Sequence, residues 1–123
     1  MRVVVGFIFK KNKLLLILHK RKNMWLPVGG HVKHGETPLI ALKREVKEEV
    51  GLNVKINEKP FFVLKELNEI TNHFICKCLS GEIKSKEDEI KDFKWFSEEE
   101  IKNSNLVPLV KKLALEAFSL YLD

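Results

Sequence analysis

Residues 30–52 read GHVKHGETPLIALKREVKEEVGL: a glycine, then Glu36, then Arg44-Glu45, Glu48-Glu49 and Gly51-Leu52 at set intervals. Thr37-Pro38 predicts a helix start, because a threonine hydroxyl caps orphan N–H groups and proline at the first helical position loses no hydrogen bond. Gly51 predicts the stop, since glycine enters the left-handed conformation that closes a helix. Over the 38–50 span, Leu39, Leu42, Val46 and Val50 recur at three- and four-residue steps and mark a face to be buried. At about 100° per residue, Glu45, Glu48 and Glu49 fall within an arc of roughly 100° beside that stripe. They belong to the rim of a core.

Carboxylates at such spacing repel one another and call for a counter-charge. Mg²⁺ suits the pattern, as a hard ion that takes oxygen ligands and commonly uses one or two carboxylates with water and substrate phosphate oxygens. The Gly29-Gly30 pair lets the backbone turn and approach closely, so a carbonyl near Gly30 offers another ligand. Glu36, just ahead of the cap, is either a ligand or a partner of the helix dipole.

This stretch resembles the Nudix box, Gly-x5-Glu-x7-Arg-Glu-U-x-Glu-Glu-x-Gly-U with U aliphatic, and every position is met. Nine specified positions coincide by chance with a probability on the order of 10⁻⁹ per starting point, so coincidence is not a competitor. The resemblance implies an α/β fold, an α/β/α sandwich with a mixed β-sheet, formed by one domain over residues 1–123. It implies hydrolysis of a nucleoside diphosphate linked to another moiety, by attack of water on phosphorus. Glu45, Glu48 and Glu49 would bind the metal, Mg²⁺ or alternatively Mn²⁺, with the Gly30 carbonyl, and Glu36 would be a supporting carboxylate. Arg44 would orient a glutamate or screen the cluster. The general base is left between a box glutamate such as Glu45 and an acid from a later loop, where Glu89 is the choice within Glu87-Asp88-Glu89 and Asp92.

Substrate class is a finer matter. The proline and tyrosine that relatives acting on ADP-ribose and diadenosine polyphosphates carry beyond the box are replaced by the region of Leu67, Glu69 and Ile70. The chain is therefore similar to the MutT-like group, which implies a nucleoside triphosphate, ordinary or oxidised. The alternatives are ADP-ribose, a dinucleoside polyphosphate, an RNA 5′ end, or a silent domain that senses nucleotides. Trp25 is either a nucleobase stacker or a core anchor, and His31, with His34, flanks the loop within reach of a phosphate. Val28 ahead of the glycine pair and Lys33 depart from the family's usual residues without touching the ligand positions.

The remainder of the 123 residues agrees with a small enzyme. The net charge of +5 comes from lysines scattered along the chain. That favours encounter with polyanions but forms no continuous basic groove for nucleic acid. The apolar run Val3–Phe9 is too short to span a membrane and lacks a cleavage site, so a cytoplasmic protein without a membrane partner is expected, monomeric or homodimeric. Cys76 and Cys78 stand two apart in a strand-like run and read as reduced thiols. Strands are expected near 2–9, 14–19, 53–58, 61–67, 73–79 and 90–96, with a loop over 20–30 and a hairpin turn at 68–72. Ser97 with Glu100 predicts a capped short helix, and a C-terminal helix is expected after Pro108.

Overall fold

The computed structural model describes residues 1–122, with side chains through Tyr121; residue 123 of the expected domain lies outside the described residues. Eight strands form one mixed sheet: β1 (Arg2–Lys10), β2 (Lys13–His19), β3 (Trp25–Leu26), β4 (Val28–His31), β5 (Asn53–Ile56), β6 (Phe62–Lys65), β7 (Ile70–Ser80) and β8 (Ile90–Phe96). Helix α1 (Pro38–Val50) covers one face, while α2 (Glu98–Asn103) and α3 (Pro108–Leu122) belong to the other.

The pairing of β1 organises the site. Along one edge it runs parallel to β7, from Arg2 opposite Ile70 to Phe9 opposite Lys77. Along the other edge its first half pairs with β4 and its last residues with β2, both antiparallel. The chain thus leaves β1 on both sides of a gap, and the cleft described below opens there.

Alternation along β1 and β2 supplies both cores. Val4, Ile8, Leu15 and Ile17 pack with Leu42, Val46 and Val50 beneath α1. Phe7, Phe9, Leu14 and Leu16 pack with Ile101, Leu113, Ala117 and Phe118 beneath α2 and α3. The Leu14–Ile17 run is therefore buried on both faces, as an unbroken apolar strand predicts. Phe9 stacks on Tyr121 at 4.3 Å and meets Phe118 edge-on at 5.0 Å, which docks α3 on the sheet.

Both helix punctuations form as read. The Thr37 hydroxyl accepts from the Ile40 N–H at 3.2 Å, and Gly51 takes φ 72° with its N–H donating to the Lys47 carbonyl. Ser97 and Glu100 make the reciprocal capping box of α2. Three details differ from the expectation. The 20–30 segment contains β3 and β4, whose pairing with β2 and β1 supplies stability that short glycine-containing runs do not signal locally. The Gly29-Gly30 pair accordingly lies in β4 and makes no turn. The hairpin turn sits at residues 66–69, where the Glu66 and Glu69 N–H groups each donate to the other's carbonyl, so β7 begins at Ile70. No helix among the described residues is long and apolar enough to cross a membrane.

Candidate active site

A cleft of about 940 Å³ runs from the α1 side of the sheet, past β4, to α3. Glu45 and Glu49 from α1, Gly29, Gly30 and His31 from β4, and Asp88 and Glu89 from the β7–β8 loop line its acidic end. Arg21, Lys22 and Lys33 stand at its walls, and Val5, Phe7, Val110 and Leu113 form an apolar end.

Close approach at Gly30 explains the glycine. A Cβ there would overlap the Glu45 carboxylate, so any larger residue displaces it. Glu49 has the opposite problem, a shortage of partners. Its Oε2 is buried with no hydrogen-bond partner, alone in this among the described side chains. Burial pushes its carboxyl up to about 8, with the charges of Glu45 and Glu89 adding to the effect and a Gly29 backbone bond opposing it.

Arg44 organises the rest. Its Nε donates to Glu36 Oε2 at 2.7 Å and its Nη2 to Glu36 Oε1 at 2.9 Å, a bidentate pairing, and Nη2 also donates to the His31 carbonyl at 3.0 Å. Nη1 donates to Glu45 Oε1 at 2.7 Å and Glu48 Oε2 at 3.2 Å. The Arg44 guanidinium, helped by the Lys33 N–H, holds the Glu36 carboxyl down at about 2. The loop that carries Glu89 is tied down as well. Lys84 and Lys86 N–H groups donate to the Val50 and Glu49 carbonyls at 3.0 Å, and the Lys20 N–H donates to the Glu89 carbonyl at 2.8 Å. Carbonyls left open at the end of α1 thereby fix the acidic loop beside Glu49.

The structure brings Glu45, Glu49, Gly30, Glu89 and His31 to one end of the cleft. The remaining candidates stand elsewhere. Glu36 spends both oxygens on Arg44, with one also accepting from the Lys33 N–H at 2.8 Å. The Glu48 side chain is 49 % exposed at the rim. Trp25 meets Phe96 edge-on at 5.5 Å and lines a separate hollow with Lys94 and Leu106. Four glutamates converging on one point were expected; among the described residues no three His, Cys, Asp or Glu side chains converge that closely. The counter-charge that the crowded carboxylates require is supplied in large part by Arg44.

What is left still fits a hard cation. Two carboxylates and a nearby backbone carbonyl are all-oxygen donors, with Glu49 Oε2 buried and unpartnered among them, and Mg²⁺ completes its octahedron with water and phosphate oxygens. Sequence reasoning missed Arg21, Lys22 and His73 as cleft residues. His73 carried a faint signal: it shares the inward face of its strand with Thr71 and Ile75. Cys76 is buried and Cys78 half-buried, both free, and burial pushes the Cys76 thiol up to about 12.

Known proteins extend these observations. The NUDIX domain family matches residues 1–117. An 8-oxo-dGTP diphosphatase of Buchnera aphidicola is 41 % identical over 56 residues, which are 42 % of this chain and 43 % of that protein. An ADP-ribose pyrophosphatase of Methanocaldococcus jannaschii is 36 % identical over 93 residues, 69 % of this chain and 55 % of the relative. The chain spans about half the length of these curated relatives. The crystal structure of a NUDIX-family hydrolase from Clostridium perfringens superposes with a TM-score of 0.87 and 32 % identity, covering 97 % of this chain and 96 % of that one.

Proposed function

Since the chain belongs to the Nudix family, we propose that it hydrolyses the pyrophosphate linkage of a nucleoside diphosphate joined to a further group, with a nucleoside triphosphate as the leading substrate. The observation that carries this reading is the buried, partnerless Oε2 of Glu49 beside Glu45, at the acidic end of a cleft whose other end is apolar.

In this reading Glu45, Glu49 and the Gly30 carbonyl hold a divalent cation, Mg²⁺ or Mn²⁺, with Glu48 entering from the rim. Such an ion, when bound, polarises phosphoryl oxygens and lowers the pKa of water. Glu49 is held ready for it: a carboxyl near 8 in the free protein becomes a strong acceptor of positive charge. Arg44 is a positioning residue, because its bond to Glu45 and its grip on Glu36 and the His31 carbonyl keep α1 and β4 in register. Glu89, fixed beside Glu49 by the loop's backbone bonds, takes the proton from the attacking water. Arg21, Lys22, Lys33 and His31 face the phosphates, while Val5, Phe7 and α3 receive the nucleoside. Trp25 and Glu36 act as structural supports.

The relatives' names divide between a triphosphate and ADP-ribose; the triphosphate is preferred because Leu67, Glu69 and Ile70 stand where relatives acting on ADP-ribose and dinucleoside polyphosphates carry their proline and tyrosine, and Arg21, Lys22 and Lys33 line the cleft as partners for a polyphosphate. Release of phosphate or pyrophosphate from a panel of nucleoside triphosphates, ADP-ribose and dinucleoside polyphosphates, with Mg²⁺ or Mn²⁺, tests it. Turnover is expected on a triphosphate and is lost in Glu49→Gln but kept in Lys47→Ala. Nucleotide binding without turnover on any compound would make the domain a sensor instead.

A further inference from the structure

On the α3 face of the sheet, in register with Val5 and, across it, with Gly29, a histidine presents a lone pair. His73 on β7 is 6 % exposed and lines the cleft beside Val5 and Phe7. Its Nδ1 lies 3.2 Å from the Phe62 carbonyl oxygen. A carbonyl only accepts, so Nδ1 carries the proton and Nε2 is the acceptor of a neutral ring. Burial holds the ring's pKa below its ordinary value, which keeps it neutral at pH 7. The Thr71 carbonyl also approaches the ring, but Nε2 makes no hydrogen bond of ordinary geometry and is not among the buried polar atoms without a partner, which leaves it on the cleft side of the ring. The rings of Phe7, Phe61 and Phe62, with centroids 5.5 to 6.5 Å away, hold the imidazole in this orientation.

On the reading of the cleft as a nucleotide site, we propose that His73 selects the base: Nε2 accepts a hydrogen bond from an N–H on the inserted edge of the nucleobase and disfavours a base that offers a lone pair there. The flat, apolar surroundings of Phe7, Val110 and Leu113 suit a base better than a sugar, whose hydroxyls would lose their water without replacement. Two acceptors facing each other in a dry pocket leave both unpaired, and the penalty corresponds to a discrimination of about ten-fold or more.

The test compares dissociation constants for nucleotides that differ by one donor on the base. One pair is dGTP against 8-oxo-dGTP, in which N7 gains a hydrogen; another is purine riboside triphosphate against ATP, in which C6 gains an amino group. Wild-type protein is expected to favour the donor-bearing member of at least one pair ten-fold or more. His73→Phe keeps the aromatic packing and should bring that ratio within about three-fold. His73→Asn, whose shorter amide withdraws the acceptor, provides the same comparison if the Phe variant fails to fold. His73→Gln should retain part of the preference, since its amide oxygen accepts. Indifference of the wild type to both pairs, a preference that follows the 2′-hydroxyl, or one that survives in His73→Phe would overturn the assignment. Turnover measured alongside separates the two readings: selective binding without hydrolysis removes the hydrolase, and hydrolysis without selection removes the role of His73 alone.

Discussion

Replacing Glu49 with glutamine should stabilise the metal-free protein while disabling it. Folding raises the Glu49 carboxyl from an ordinary 4.5 to about 8, because the group is buried near Glu45 and Glu89. The folded state therefore holds the proton more tightly than the unfolded chain does. Below pH 4.5 both states are protonated and nothing is lost. As pH rises from 4.5 to 8 the unfolded chain ionises first, and stability falls at up to 1.36 kcal/mol per pH unit. The full span is worth about 5 kcal/mol as a ceiling, and roughly 2 kcal/mol once water entry and side-chain relaxation are allowed. Glutamine keeps the shape, carries no charge and does not titrate. Urea unfolding in EDTA at pH 5, 6.5 and 8.5 would read the difference, with wild type and Glu49→Gln close together at pH 5 and the variant more stable by about 2 kcal/mol at pH 8.5. His73, whose pKa is lowered by burial, contributes in the opposite sense as pH rises toward its unfolded value, and it cancels in the comparison. Added Mg²⁺ should narrow the gap at pH 8.5 by stabilising the wild type alone. Parallel stability curves for the two proteins across this range would refute the reasoning.

Other perturbations follow from the same geometry. Gly30→Ala should cost at least about a hundred-fold in kcat with little change in Tm, because the added Cβ displaces the Glu45 carboxylate and not the core; steady-state kinetics beside a thermal melt checks it. Arg44→Lys gives up the fork that grips Glu36 and the His31 carbonyl, so turnover should fall about ten-fold or more. Its acid unfolding midpoint should also rise: the Glu36 carboxyl held at about 2 stabilises the wild type above pH 4.5, and this is lost as pH falls from 4.5 toward 2. Circular dichroism across an acid titration reads that shift. Ser97→Ala removes the hydroxyl that accepts the Glu100 N–H and should cost about 1 kcal/mol in urea unfolding with kcat unchanged.

Helix α1 was legible because its information is local. Thr37, Pro38 and Gly51 set its ends, and the Leu39–Val50 stripe sets its buried face. The same holds for α2, whose capping box lies within four residues. Strands β3 and β4 were not legible, since two and four residues with a glycine pair carry no period of their own and exist through pairing with β2 and β1. The glutamates were found by spacing, but their division of labour was not. Periodicity places Glu45, Glu48 and Glu49 on one arc, yet it does not say that Arg44 occupies Glu36 on both oxygens or that one oxygen of Glu49 is buried without a partner. Those outcomes depend on where β4 and the β7–β8 loop meet the helix. His73 is a further case, for its tautomer is set by a carbonyl on a neighbouring strand.

Direct ion binding bears most closely on the central claim. Mn²⁺ titrated into the metal-free protein, with the free-ion electron paramagnetic resonance signal as the readout, should show saturable binding that Mg²⁺ competes away, weakened at least about ten-fold in Glu45→Gln and Glu49→Gln and unchanged in Lys47→Ala. A free-ion signal that the protein does not diminish, or diminishes equally with both glutamates replaced, would contradict the account.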